Sequence, residues 1–218
     1  SPDFSEILLQ LPDSHFCWHP PFASEPCGAA PVGKNGFVTF GSLNQFGKLT
    51  APLLRAWREI LGQVPRSRLF LKCAAFNSEE GRQQAYQLLQ AAGIPLERLR
   101  LEGYTQDYSA AYQHIDIALD TYPYTGGGTT CDALYMGVPV ITLAGRRHGA
   151  RFGRSLLMNL GLGEYCADSW EAYIAKAVEL AGQPAVLREL RRTLRRRMEA
   201  SPLMDGPLYM AGLEAAYQ

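Results

Sequence analysis

Residues 115–143 read "IDIALDTYPYTGGGTTCDALYMGVPVITL". Two short apolar runs, 115–120 and 138–143, bracket a turn with three consecutive glycines and two threonines. The segment from Thr129 to Met136 has the length and composition of a short helix. A strand, a tight turn, a helix and a second strand in that order form a βαβ unit, whose two strands are parallel and whose crossover is right-handed. Flexible residues placed between two buried strands mark a point where backbone must come close to something.

The same alternation extends in both directions. Upstream, "FVTFGS" (37–42), "RLFLKC" (68–73) and "RLRLEG" (98–103) read as strands. They are separated by "APLLRAWREILGQV" (51–64) and "SEEGRQQAYQLLQAAG" (78–93). The first of these carries Leu53, Leu54, Trp57, Ile60 and Leu61 at helical spacing. The second opens on a serine cap and closes at Gly93. A further helix is expected around 108–114, and downstream helices at about 150–160, 169–182, 184–199 and 207–217. Strands apolar on both faces belong to a sheet covered by helices on each side. The reading is α/β: a Rossmann-like, doubly wound parallel sheet of five strands. In such sheets ligands bind beyond the carboxyl ends of the strands, where strand order reverses.

The chain has 218 residues, 47% of them hydrophobic, enough for one large domain or two small ones. Residues 11–35, "LPDSHFCWHPPFASEPCGAAPVGKN", lack helical or strand periodicity, yet contain Phe16, Trp18 and Phe22. The division is therefore an extended arm or linker over 1–35 that packs on a body, and a lobe over 36–218 that includes the C-terminal helices. Formal net charge is +0, so bulk electrostatics favour neither nucleic acid nor an acidic membrane. No apolar run is long enough to span a bilayer, and no secretory signal is visible, which points to the cytoplasm. Five scattered cysteines form no C-x-x-C pair, which argues against a zinc site or a disulfide framework.

The strand-end loops carry the candidate chemistry. After 115–120, Gly126, Gly127 and Gly128 would admit a ligand without Cβ clashes. Thr129 and Thr130 would stand at the helix start, where free N–H groups and the dipole favour an anion. Asp132, read in the same first turn, would repel a phosphate and accept instead from sugar hydroxyls. An ordinary turn with a threonine cap would share this pattern, and the local sequence does not separate the two. After 37–42, "GSLNQFGKL" offers Asn44, Gln45 and Lys48 at the same sheet end, where a lysine could neutralise a diphosphate. After 138–143, "AGRRHGARFGRS" brings Arg146, Arg147, His148 and Arg151, the first two read as exposed surface. The loops match neither G-x-G-x-x-G nor a Walker A loop, and no G-x-S-x-G elbow is present. In the basic run 188–197, Leu187, Leu190 and Leu194 make an apolar stripe that leaves the arginines on solvated faces. No aromatic side chains are interleaved to stack on bases. His15, His19 and His114 have no partner at metal-ligand spacing and read as structural.

Taken together, "FVTFGSLNQFGKLT", "VPRSRLFLKC", the 115–145 stretch and "SPLMDGPLYMAGLEAAY" resemble the C-terminal catalytic lobe of protein O-GlcNAc transferases and their Spindly-type relatives. The resemblance runs from about Leu11 to the end. It implies a GT-B architecture of two Rossmann-like lobes, usually behind tetratricopeptide repeats, with this chain as the nucleotide-sugar lobe. The other lobe and the repeats would lie outside it, and the chain alone would be folded but close to inactive. By the same resemblance, Gln45 and Lys48 match the motif whose glutamine and lysine contact the donor diphosphate, with Lys48 in the catalytic role. Thr129 and Thr130 match the paired diphosphate-binding threonines, and Asp132 the acidic residue that holds the ribose. Gly128 replaces a histidine common in O-GlcNAc transferases, and Tyr108 aligns with a histidine near the nucleobase. "YPYTGGGTTC" and His148 are Spindly-like, whereas Gln45, Asp132 and Arg151 are closer to O-GlcNAc transferases. The implied donor is UDP-GlcNAc, with GDP-fucose as the alternative, and the acceptor is a Ser or Thr of a polypeptide. A nucleotide-binding or interaction module without turnover is the reading from another class. No metal or other cofactor is expected: no Asp-x-Asp motif is present, and helix N–H groups, threonines and Lys48 would carry the neutralisation.

Overall fold

A row of β-branched and aromatic residues flanked by helices leaves a strand two faces to bury, and the sheet satisfies both. In a computed structural model that describes residue 5, residues 7–22 and residues 26–217, the elements run as follows. They are α1 (Val32–Asn35), β1 (Thr39–Ser42), α2 (Ala51–Gln63), β2 (Arg68–Cys73), α3 (Glu79–Ala91), β3 (Leu99–Gly103) and β4 (Ile117–Leu119). Then come α4 (Gly128–Tyr135), β5 (Val140–Leu143), α5 (Phe152–Asn159), β6 (Cys166–Ala167), α6 (Trp170–Ala181), α7 (Pro184–Glu199) and α8 (Gly206–Ala216). The parts of the expected arm at 1–4, 6 and 23–25 lie outside the described residues.

The strands form one parallel sheet in the order β3-β2-β1-β4-β5-β6. Phe40 of β1 lies opposite Leu69 of β2 on one side and Ile117 of β4 on the other. Order reverses between β1 and β4, so the loops leaving these two strands diverge and open a crevice at their carboxyl ends. All residues of β1 and β5 are buried, as covered strands require, while β3 at the edge is half-exposed. Gly41 makes the β1–β4 contact possible, because a Cβ there would run into the side chain of Ile115.

The helices follow from the periodicity. Leu53, Leu54, Trp57, Ile60 and Leu61 of α2 are all buried. The Ser78 hydroxyl accepts from Gly81 N at 3.0 Å to start α3, and the Ser169 hydroxyl accepts from Ala172 N at 3.2 Å to start α6. Trp57 Nε1 donates to the Tyr173 hydroxyl at 3.1 Å, which donates to the Asp120 carbonyl at 2.9 Å. That relay ties α2 and α6 to the end of β4.

Three features differ from the sequence reading. The sheet has a sixth strand, β6, too short to leave a pattern of its own. Residues 109–114 form a 3-10 turn rather than an α-helix. Ser109, Tyr112 and Ile115 are buried at a spacing of three, which suits three residues per turn. The arginines of α7 are not all solvated: Arg191 is buried, donating to the carbonyls of Tyr112 at 3.0 Å and Ile115 at 3.4 Å.

The arm packs on this body. Phe16, Trp18 and Phe22 lie against the core, and Trp18 N donates to the Leu203 carbonyl at 2.7 Å. Asp116 joins arm to sheet: its Oδ1 accepts from Val32 N at 2.8 Å and its Oδ2 from Thr39 N at 2.9 Å. Asp116→Ala would orphan both amides at once. The expected loss is about 2–4 kcal/mol in urea unfolding; a loss below about 0.5 kcal/mol would mean that the arm is held without it.

Candidate functional site

The site grows from one buried carboxylate. Asp120 ends the apolar run of β4, and its Oδ1 accepts from Thr121 N at 2.8 Å and from Gly126 N at 2.7 Å. Its Oδ2 accepts from the Thr142 hydroxyl of β5 at 2.7 Å. The chain after β4 is thereby folded back on the strand end, and the glycine turn is held rather than loose. Gly126 is required by contact: a Cβ there would stand 2.5 Å from Thr130 Oγ1 and 2.7 Å from Thr129 Oγ1. A Cβ on Gly127 would meet the Phe16 ring at 2.6 Å, so the arm covers this side of the turn. Gly128 has nothing within 4 Å and faces open space.

Gly127 then caps α4 with no side-chain hydrogen bond, so the helix starts without a side-chain cap. Thr129 reaches across to the β1 loop, donating its hydroxyl to Asn44 Oδ1 at 3.2 Å. Lys48 Nζ donates to the same oxygen at 3.0 Å and lies 4.5 Å from the centre of the Tyr124 ring. Burial pulls the Lys48 pKa down, and the nearby Asp120 partly restores it. Ser42, Asn44, Asp120, Thr129 and Thr130 line the cleft between the ends of β1 and β4. Lysine, amide, hydroxyl and helix N-terminus thus converge at the reversal of strand order, a constellation of donors that suits a phosphate-bearing ligand.

A second pair sits deeper. Tyr108 donates its hydroxyl to Asp132 Oδ2 at 3.0 Å, while Asp132 Oδ1 is buried with no hydrogen-bond partner among the described residues. Asp132 is the fifth residue of α4, just past the first turn in which it was expected. Burial raises its pKa to about 6 against the pull of Tyr108 and Trp18. Burial also raises Asp120 to about 6, despite three donors and Lys48. The Tyr108 hydroxyl is pushed up by burial and then by Asp132.

Apart from the Tyr108–Asp132 pair, the sequence-expected residues divide into three groups. Asn44, Lys48, Thr129 and the glycine turn form one hydrogen-bonded cluster, with Thr130 buried behind it. His148 joins through rings: it lies 5.0 Å from Phe152, which lies 5.9 Å from Tyr124, the residue under Lys48. Gln45 and Arg151 are exposed at the start of a 3-10 turn and of α5, and neither side chain is tied to the cluster. Sequence reasoning assigned no role to Asp120, Tyr124 or Thr142. A charged residue closing an apolar strand just before a glycine run was the signal for Asp120.

Residues 33–213 match glycosyl transferase family 41. The chain belongs to that family. Over 216 residues, 98% of this chain, it is 42% identical to an Arabidopsis thaliana protein described as a probable UDP-N-acetylglucosamine–peptide N-acetylglucosaminyltransferase, SPINDLY. It spans 24% of that relative's length. A second Arabidopsis thaliana protein of the same description, SEC, is 31% identical over 82% of this chain and 18% of its own length. Among solved structures, a mutant of the Thermobaculum terrenum O-GlcNAc transferase superposes with a TM-score of 0.84 and 34% identity. That match covers 97% of this chain and 40% of the other. The family 41 chain therefore has the Rossmann-like lobe of a GT-B glycosyltransferase, as its strand order independently indicates.

Two outcomes follow from the geometry. Gly126→Ala forces a Cβ between two threonine hydroxyls, whereas Gly128→Ala adds one to open space. The first should cost about 1–3 kcal/mol in thermal or urea unfolding and the second close to nothing; equal effects would show that the turn is not built on Gly126. For pH, Asp132 has a folded pKa above its ordinary value of 3.8. Its contribution to stability is complete below about pH 4 and is lost as pH rises through about 6. Asp132→Asn should therefore stabilise the unliganded chain by about 1–3 kcal/mol near pH 7.5 and leave it unchanged near pH 4. A variant equally stabilised at both would mean that the carboxylate is not held against its charge.

Proposed function

We propose that this family 41 chain is the nucleotide-sugar-binding lobe of a protein O-glycosyltransferase, with residues 1–35 as the arm leading into the lobe at 36–218. The observation that carries the reading is the convergence of Lys48, Asn44 and Thr129 on the uncapped N-terminus of α4. The donor diphosphate would lie across that end, its charge met by the α4 amides, the Thr129 hydroxyl and Lys48. Gln45, exposed beside them, would close over the phosphates. Asp132, with one buried oxygen unpartnered, would accept from the ribose hydroxyls, and Tyr108 would adjoin the base. His148 and Arg151 would flank the sugar side.

In the reaction, a Ser or Thr hydroxyl of a polypeptide attacks the anomeric carbon. The bond from that carbon to the diphosphate oxygen breaks, negative charge grows on the departing diphosphate, and the attacking hydroxyl gives up its proton to water or to the diphosphate. Fixed donors at that position stabilise the transition state more than the bound donor, which is how this lobe would contribute to rate. A second lobe supplies the other wall of the cleft and the rest of the acceptor site, so the chain by itself binds donor and turns over little.

UDP-GlcNAc is the leading donor, after the descriptions of both Arabidopsis thaliana relatives. GDP-fucose is the second reading, favoured by the Spindly-like glycine turn and by Gly128 in open space where a histidine would contact the donor. Calorimetric titration with UDP, GDP, UDP-GlcNAc and GDP-fucose separates them. Binding confined to the uridine ligands supports the first, binding confined to the guanosine ligands replaces it with the second, and no binding by any favours a module without turnover. In the same titration, Lys48→Ala should weaken diphosphate binding by about 1.5–3 kcal/mol. An unchanged affinity would remove Lys48 from the site.

A further inference from the structure

The nucleotide cleft uses one end of α4. The other end opens on a different surface. There, residues 27–30 of the arm face α7 across a groove whose far wall is Arg188, Arg191, Arg192, Arg195 and Arg196. These positions recur at three and four residues, so they share one helix face beside the buried stripe of Leu187, Leu190 and Leu194. In a chain of formal net charge +0, this concentration of guanidinium groups is a local field, not a bulk property.

The groove is built rather than incidental. Arg195 Nε donates to the Tyr135 carbonyl at 3.0 Å, at the carboxyl end of α4, and its guanidinium stacks 4.5 Å from the Tyr135 ring centre. Arg191 is buried and held by two carbonyls, and its Nε has no partner among the described residues. The arm wall is fixed as well: Gln113 Nε2 donates to the Pro26 carbonyl at 3.1 Å, and the Cys27 thiol contacts the Tyr135 carbonyl at 3.5 Å. Gly28, Ala29 and Ala30 leave that wall low. Two carboxylates share the helix: Glu189 pairs with Arg192 at 2.8 Å in an exposed pair, and Glu199 lies beyond Arg196 at the helix end. An exposed pair of this kind is worth little and exchanges readily.

Arg188, Arg192 and Arg196 are exposed and spaced by one helical repeat of four residues, about 6 Å per step. Alternate side chains of an extended peptide on one face repeat at about 6.6 Å. We propose that this groove docks an acidic, extended segment of a partner polypeptide, with carboxylates at every second residue pairing with Arg188, Arg192 and Arg196. Nucleic acid fits less well, because among the described residues no exposed aromatic lines the groove for stacking. A membrane surface fits less well, because among the described residues no large exposed apolar side chain lines the groove for insertion.

The test is fluorescence anisotropy with a labelled peptide of alternating Glu and Gly, compared with a peptide of the same composition whose glutamates are contiguous at one end. The alternating peptide should bind more tightly, and more weakly as salt rises. The Arg188→Glu/Arg192→Glu/Arg196→Glu variant should lose roughly tenfold or more in affinity. Arg55→Glu/Arg58→Glu/Arg154→Glu, an equal charge change elsewhere, should lose little. Arg188→Gln/Arg192→Gln/Arg196→Gln, checked for an unchanged circular dichroism melt, keeps the test valid if charge reversal unfolds the chain. Equal losses in the groove and control variants, equal binding of the two peptides, or binding only to vesicles containing phosphoinositide would each overturn the proposal.

Discussion

The site depends on placing an ionisable carboxyl where water cannot reach it. Asp120 is fully buried at the end of β4, and its two oxygens take a backbone amide on each side of the glycine turn and the hydroxyl of Thr142. Without that acceptor, the amides of Thr121 and Gly126 would be buried and unpaired, a cost that would undo the turn. With it, the turn closes so tightly that only glycine fits at position 126. The raised pKa of Asp120 is the physical signature of this arrangement, because three donors do not fully offset removal from water. The Asp120 carbonyl is also engaged, by the Trp57–Tyr173 relay from α2 and α6. The geometry of the glycine turn is thus anchored in the packing of the lobe.

The arm takes part in the same construction. Phe16 lies on Gly127, Trp18 favours the ionised form of Asp132, and His15 stacks 4.8 Å from His148. Burial, and then the neighbouring His148, lower the pKa of His15, so its neutral ring is favoured in that cluster. These contacts place aromatic residues of a segment with no regular structure directly around the candidate donor groove. A sequence with Pro, Gly and Ala punctuated by large rings is what such a role requires: extended backbone to follow a surface, and rings to hold it there.

Much of this was legible in the sequence. The βαβ period, the buried positions of α2 and the helix starts at Ser78 and Ser169 follow from spacing and caps, because local physics decides them. The cluster of Lys48, Asn44 and Thr129 was legible through topology, since parallel strands put their following loops at one sheet end. What escaped depends on tertiary contact. β6 is two residues long and exists because β5 offers an open edge. Residues 109–114 tighten into a 3-10 turn because Ser109 and Tyr112 must both face the core. Arg191 reads like its neighbours but points inward, where it donates to the carbonyls of Tyr112 and Ile115 in the segment leading into β4. Asp132 lies in the second turn of α4, and only its burial reveals that one of its oxygens lacks a partner.

The two ends of α4 give the lobe an electrostatic polarity. Its N-terminus is left uncapped and faces Lys48, so the positive end of the dipole and a lysine add together where a phosphate would sit. Its C-terminus is covered by Arg195, whose guanidinium meets the Tyr135 carbonyl and so compensates the negative end. Cationic groups therefore stand at both ends of an eight-residue helix, in different settings: at one end Lys48 lies beside a terminus without a side-chain cap, at the other Arg195 satisfies backbone. At the second end only Arg195 compensates α4, while Arg191 satisfies the carbonyls of Tyr112 and Ile115. Arg188, Arg192 and Arg196 extend past any carbonyl that needs them, so capping and packing account for the inner arginines of α7 and not for the outer row.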